Sequence, residues 1–253
     1  MIPRIDVCGT SYWLKELTIG QALDIAKLPE RLNEARITCF LKHVQSVKDP
    51  LVMTVQERYS LLIQYLAATQ QDFAGVSCDY ATYLNFPALA WVDQIAIDGK
   101  TLGQLTGLQA EVLEALCEDS ADWLMGVMVM QMNLPDWEPV DANDRQAVQD
   151  GFMKRYERFK KLGIAEADAL YQEWNQYRWK LDCLVRLAVD DNGFVIYGGA
   201  DDAPARFCPA ASFGRLVTDL AECARWSCGN TSSVRADESG GSDESAALDD
   251  WPV

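Results

Sequence analysis

Residues 49–66 read DPLVMTVQERYSLLIQYL, and in eighteen residues they hold a polar break, a helix start and an apolar face. Thr54 and Glu57 have the spacing of a capping box, in which the hydroxyl accepts a first-turn N–H and the carboxylate reaches back to the threonine N–H. Val55, Tyr59, Leu62, Ile63 and Leu66 follow at i, i+4, i+7, i+8 and i+11, the repeat of one helical face. The stretch therefore predicts a helix over 54–69 that packs through one stripe.

The same signature recurs on both sides, at Thr18 to Gln21 and at Thr106 to Gln109. Upstream, Ile19, Leu23 and Ala26 line a helix that runs to Pro29, and a second over 30–46 groups Leu32, Ala35, Cys39 and Phe40, which makes a helical hairpin. Downstream the period changes. VDQIAIDGKTLGQL alternates around Asp98-Gly99 and predicts a β-hairpin within 93–105, and LAVDDNGFVIYGG predicts another over 187–198, with Asn192-Gly193 supplying positive φ angles. Helices are expected over 107–117, 119–132, 143–162, 165–186 and 212–228, interrupted by Pro135, Pro139 and Gly163. The longest pattern stacks Leu170, Trp174, Tyr177, Leu181, Leu184 and Val185.

The fold class this predicts is mainly α with two small β-hairpins (α+β). It divides into an N-terminal helical region over 1–75, a helical region with hairpins over 76–228, and a flexible tail over 229–253. The tail is rich in Gly and Ser and holds six acids against Arg235 alone, too little apolar matter to offset its ordering entropy.

The whole chain carries −16 at neutral pH, a charge that repels phosphate backbones and anionic lipid surfaces. Neither nucleic acid nor a membrane is expected as a partner. The start, MIPRIDVCGTSYWLKEL, never sustains the apolar run of a signal sequence, which predicts a cytoplasmic beginning. The most apolar window, WLMGVMVMQMNL over 123–134, is shorter than the roughly twenty residues a bilayer requires and reads as a buried helix.

No catalytic, cofactor or metal residue is nominated. His43, the one histidine, sits at the end of its helix, where the helix dipole favours it. Eight cysteines are scattered through the chain, most of them read as reduced, buried thiols. The late group Cys183, Cys208, Cys223 and Cys228 is the only candidate for a zinc or iron–sulfur site, and it lacks the close pair such sites use. The carboxylates of CEDSADW and DDNG read as caps and turn formers, with Asp119 or Ser120 as an N-cap and Asp191 with Asn192 in a turn. YGGADDAP surrounds its glycines with acids and leads to Pro204, unlike a phosphate loop. Trp91, Trp123, Trp137, Trp174, Trp179 and Trp226 lie near polar turns and suit either a core or an interface.

LTIGQALDIAKLPERLNEARITCFLKHV followed by DPLVMTVQERYSLLIQYL resembles the N-terminal region of tail and baseplate proteins of tailed bacteriophages, over residues 17–66. WLMGVMVMQM adds to the likeness. The resemblance implies a virion subunit that acts by contacts with other tail or baseplate proteins, as a homo-oligomer within the assembly, after synthesis in the host cytoplasm. The alternatives are a tail-assembly chaperone absent from the mature particle, and a cysteine-ligated metal or iron–sulfur protein.

Overall fold

A computed structural model of the chain describes residues 2, 4–69, 79–84, 90–198 and 203–207. In chain order the elements are β1 (Arg4–Val7), β2 (Thr10–Trp13), α1 (Ile19–Ala26), α2 (Asn33–Val44), α3 (Val55–Thr69), a 3-10 turn (Tyr80–Tyr83), β3 (Gln94–Ile97), β4 (Lys100–Gly103), α4 (Gly107–Leu116), α5 (Ser120–Gln131), β5 (Met132–Asn133), α6 (Arg145–Lys160), α7 (Ile164–Tyr177), a second 3-10 turn (Arg178–Leu181), β6 (Arg186–Asp190), β7 (Gly193–Gly198) and β8 (Ala203–Ala205). The protein is mainly helical, with small antiparallel sheets. The helix expected over 212–228 and the acidic tail lie outside the described residues.

Two of the capping boxes meet at the centre. Thr54 and Glu57 exchange both bonds, Glu57 N to Thr54 Oγ1 at 3.2 Å and Thr54 N to Glu57 Oε2 at 2.8 Å. Thr106 and Gln109 do the same at 3.3 and 2.9 Å. The two threonines form an antiparallel bridge, flanked by Val55 N to Leu105 O at 2.8 Å and Gly107 N to Met53 O at 2.7 Å. Helices α3 and α4 are thereby started from one shared point. The third box, Thr18 with Gln21, caps α1.

The expected stripe on α3 is buried, but so is most of the rest of the helix: eleven of its fifteen residues are enclosed, including Gln56, Glu57, Arg58 and Ser60. Helix α3 is a central rod rather than an amphipathic surface helix. The faces of the two preceding helices are also turned from those expected. Ala22, Ile25 and Ala26 go inward on α1 while Ile19 is exposed, and Ile37, Phe40, Leu41 and Val44 carry α2 while Leu32, Ala35 and Cys39 are half-buried. One continuous apolar cluster runs from Ile5 to Phe207.

The helix expected over 165–186 ends early. Helix α7 stops at Tyr177, the chain makes a 3-10 turn, and β6 begins at Arg186. The cause is a side chain from far away: Gln56 accepts the N–H groups of Leu184 and Val185 at 2.9 and 3.0 Å and donates to Val185 O at 2.9 Å and Asp182 Oδ1 at 3.1 Å. Four hydrogen bonds hold residues 182–185 in a conformation no helix can share.

Both expected hairpins are present, and each gains a third strand, β5 beside β4 and β8 beside β7. Asp98 and Gly99 both take positive φ, as a two-residue hairpin turn requires. The second hairpin turns at Asp191-Asn192, because Asp190 pairs with Gly193; Gly193 has positive φ and Asn192 does not, contrary to the expectation for that pair. An additional hairpin joins β1 to β2 through Cys8-Gly9, both again at positive φ.

Candidate functional site

The residues singled out in the sequence are dispersed. His43 is half-buried in the last turn of α2. Cys183 is buried, its thiol 3.6 Å from Lys180 O, while Cys208, Cys223 and Cys228 lie outside the described residues. Among the described residues no three His, Cys, Asp or Glu side chains gather as a metal site. No described helix is long and apolar enough to cross a membrane.

The acidic motifs work locally. Asp119 caps α5 through the N–H of Asp122 at 2.9 Å, Asp122 accepts the Tyr156 hydroxyl, and Asp191 Oδ1 accepts Ser120 N at 3.0 Å, which ties the second hairpin to the start of α5. The tryptophans divide between core and surface. Trp123 stacks edge-on with Phe194 at 5.5 Å between centroids, and Trp174 donates to Gln131 Oε1 at 2.8 Å. Trp91 is half-buried and donates to Asp93, Trp137 packs under the Arg155 guanidinium at 5.2 Å, and Trp179 is exposed. Trp226 lies outside the described residues.

The strongest electrostatic feature went unseen in the sequence because its members are far apart. Arg58 and Glu34, both fully enclosed, pair at 3.1 Å. Arg58 also donates to Glu34 O at 2.7 Å and Pro50 O at 3.2 Å, and the Tyr59 hydroxyl donates to Glu34 Oε1 at 2.5 Å. Gly107 makes room for this guanidinium, since a Cβ there would lie 2.0 Å from Arg58 Nη1 and 2.3 Å from Pro50 O. The first turn of α2 has no cap of its own at Leu32, and Glu114 of α4 supplies one, accepting Glu34 N at 2.7 Å and Ala35 N at 3.1 Å. Burial, reinforced by the nearby Glu34, raises the Glu114 carboxyl to about 7; burial also raises Glu34, against the opposing pull of Arg58. With no route to solvent, this node locks α2, α3 and α4 together rather than meeting a substrate.

Two concave surfaces face outward. A cavity of about 460 Å³ lies between α6 and residues 136–141, and its charges neutralise one another: Lys154 pairs with Glu138 and Arg158 with Asp136. Arg155 beneath it is buried and donates to the carbonyls of Val129, Met132 and Glu138, closing the end of α5. The second, about 390 Å³, is an apolar groove between α5, α6 and α7, lined by Leu124, Met125, Met128, Phe159 and Tyr171. Helix α7, which forms one wall, buries only Trp174 among its fourteen residues. Ile164 at its start is 90% exposed.

The comparisons with known proteins found no matching family model, curated protein or solved structure.

Proposed function

We propose that this chain is a non-catalytic structural subunit of a bacteriophage tail or baseplate, acting through protein–protein contacts. The reading starts from the resemblance of residues 17–66. The observation that supports it best is α7: a fourteen-residue helix that encloses one side chain contributes little to its own fold, and it borders an apolar groove. Such a surface gains stability when another protein covers it. Exposed Trp13 and Trp179 add large side chains of the kind that dominate interfaces.

The chain's negative charge favours solubility before assembly, and complementary charge on a partner would steer docking. Mass spectrometry of purified virions of the encoding phage tests the proposal. The chain is expected among the particle proteins at a fixed ratio to the tail components. Its absence from particles, with presence in infected cells, would instead identify a tail-assembly chaperone.

A further inference from the structure

We infer that the groove between α5, α6 and α7 is a self-association surface, and that its occupant is the same surface of a second copy of this chain. The groove floor is apolar and wide enough for large side chains, and Ile164 projects from its rim almost wholly into solvent. A helix that buries only Trp174 cannot owe its position to a core of its own, so its apolar side is left to be covered.

Charge selects the occupant. The groove carries one cation and one anion, Lys160 on α6 and Asp168 on α7. Lys160 is held only by a distant contact of 3.9 Å to Glu157 and by the Tyr156 ring at 5.1 Å, and Asp168 by a long hydrogen bond of 3.4 Å from Gln172. Neither is engaged in a strong pair. A surface with one charge of each sign is complementary to itself under a two-fold axis, which sets Lys160 of each copy against Asp168 of the other. The same operation lays Ile164 of each copy over the apolar floor of its neighbour. The chain's overall negative charge opposes association at long range, but at physiological ionic strength that repulsion is screened within about 8 Å, and the groove itself is balanced. This inference stands apart from the tail reading, because a dimer can exist whether or not the chain enters a virion.

Sedimentation velocity of the full chain from about 1 to about 100 μM in 0.15 M salt, flagged here as a roughly physiological strength, tests it. The wild type is expected to pass reversibly from monomer to dimer. Ile164→Asp, at an exposed first helical position where an acid suits the helix, should weaken the dimer about tenfold or more while leaving the melting temperature of the monomer unchanged. Lys160→Glu and Asp168→Lys should each weaken it alone, and an equimolar mixture of the two should restore a heterodimer, since each altered charge then meets its complement. A wild type that stays monomeric throughout, a dimer indifferent to all three variants, or a mixture that fails to recover association would each overturn the proposal.

Discussion

Glu114 lies with its carboxylate 2.7 Å from the backbone nitrogen of Glu34, so one helix of this protein is capped by a side chain from another, 80 residues later. The same carboxylate takes the N–H of Ala35, and both donors are enclosed with it. Glu114→Ala would leave two buried donors without partners, at about 1–3 kcal/mol each. Chemical denaturation should show a loss of that order, and Glu114→Gln, which keeps one acceptor oxygen, should lose less. Equal losses for the two variants would mean that the capping bonds contribute nothing.

Gly107 should tolerate no side chain. A methyl group there would overlap Arg58 Nη1 and Pro50 O, and relieving the overlap by moving the guanidinium breaks the enclosed pair with Glu34. Breaking such a pair typically costs about 3–5 kcal/mol. Gly107→Ala is therefore expected to unfold at much lower denaturant than the wild type, and a change below about 1 kcal/mol would refute the close approach.

Gln56 sets where the C-terminal part of the chain changes direction. Gln56→Ala removes four hydrogen bonds to residues 182–185 and strands two backbone N–H groups, a loss on the order of 2–4 kcal/mol. Amide exchange should accelerate at Leu184 and Val185 in particular. Uniform acceleration across the molecule, with no local excess, would show that this junction is held by packing instead.

These residues mark the boundary of what the sequence discloses. Capping boxes and the Asp98-Gly99 turn are local chemistry within four residues, and they stand where the spacing places them. Gln56, Glu57 and Arg58 look like the wet side of an amphipathic helix, because periodicity counts polarity and cannot see partners. Their acceptors and donors come from Glu34, Pro50 and residues 182–185, so the helix could be buried nearly all round without breaking its pattern. Cys8-Gly9 escaped notice because cysteine is not a usual turn residue, although Ile5, Val7 and Tyr12 alternate inward around it. The groove was half legible: Met125 and Met128 belong to a window read as a buried helix, and only the fold leaves part of that window facing outward.

Stability should fall as the solution is made less acidic. Burial raises Asp182 to about 7 from an ordinary 3.8, and Glu114 to about 7 from 4.5. Folded, these groups hold protons that the unfolded chain has released, so unfolding sheds protons and the free energy of unfolding declines with pH. The stabilisation is complete below the ordinary values and is lost as the pH rises through about 7. The melting temperature should be higher near pH 5 than near pH 8, and Asp182→Asn should narrow the gap. A melting temperature that climbs over that interval would contradict the protonated state of these carboxyls.

The claim that most of the account depends on is that α7 is a surface built to be covered. Hydrogen–deuterium exchange of Ile164–Tyr177, compared between dilute monomeric protein and the purified virion, tests it most directly. The account predicts fast exchange along this helix in the free monomer and marked protection in the particle, centred on the turn around Ile164. Equal exchange in both states, or a particle that lacks the chain altogether, would contradict it.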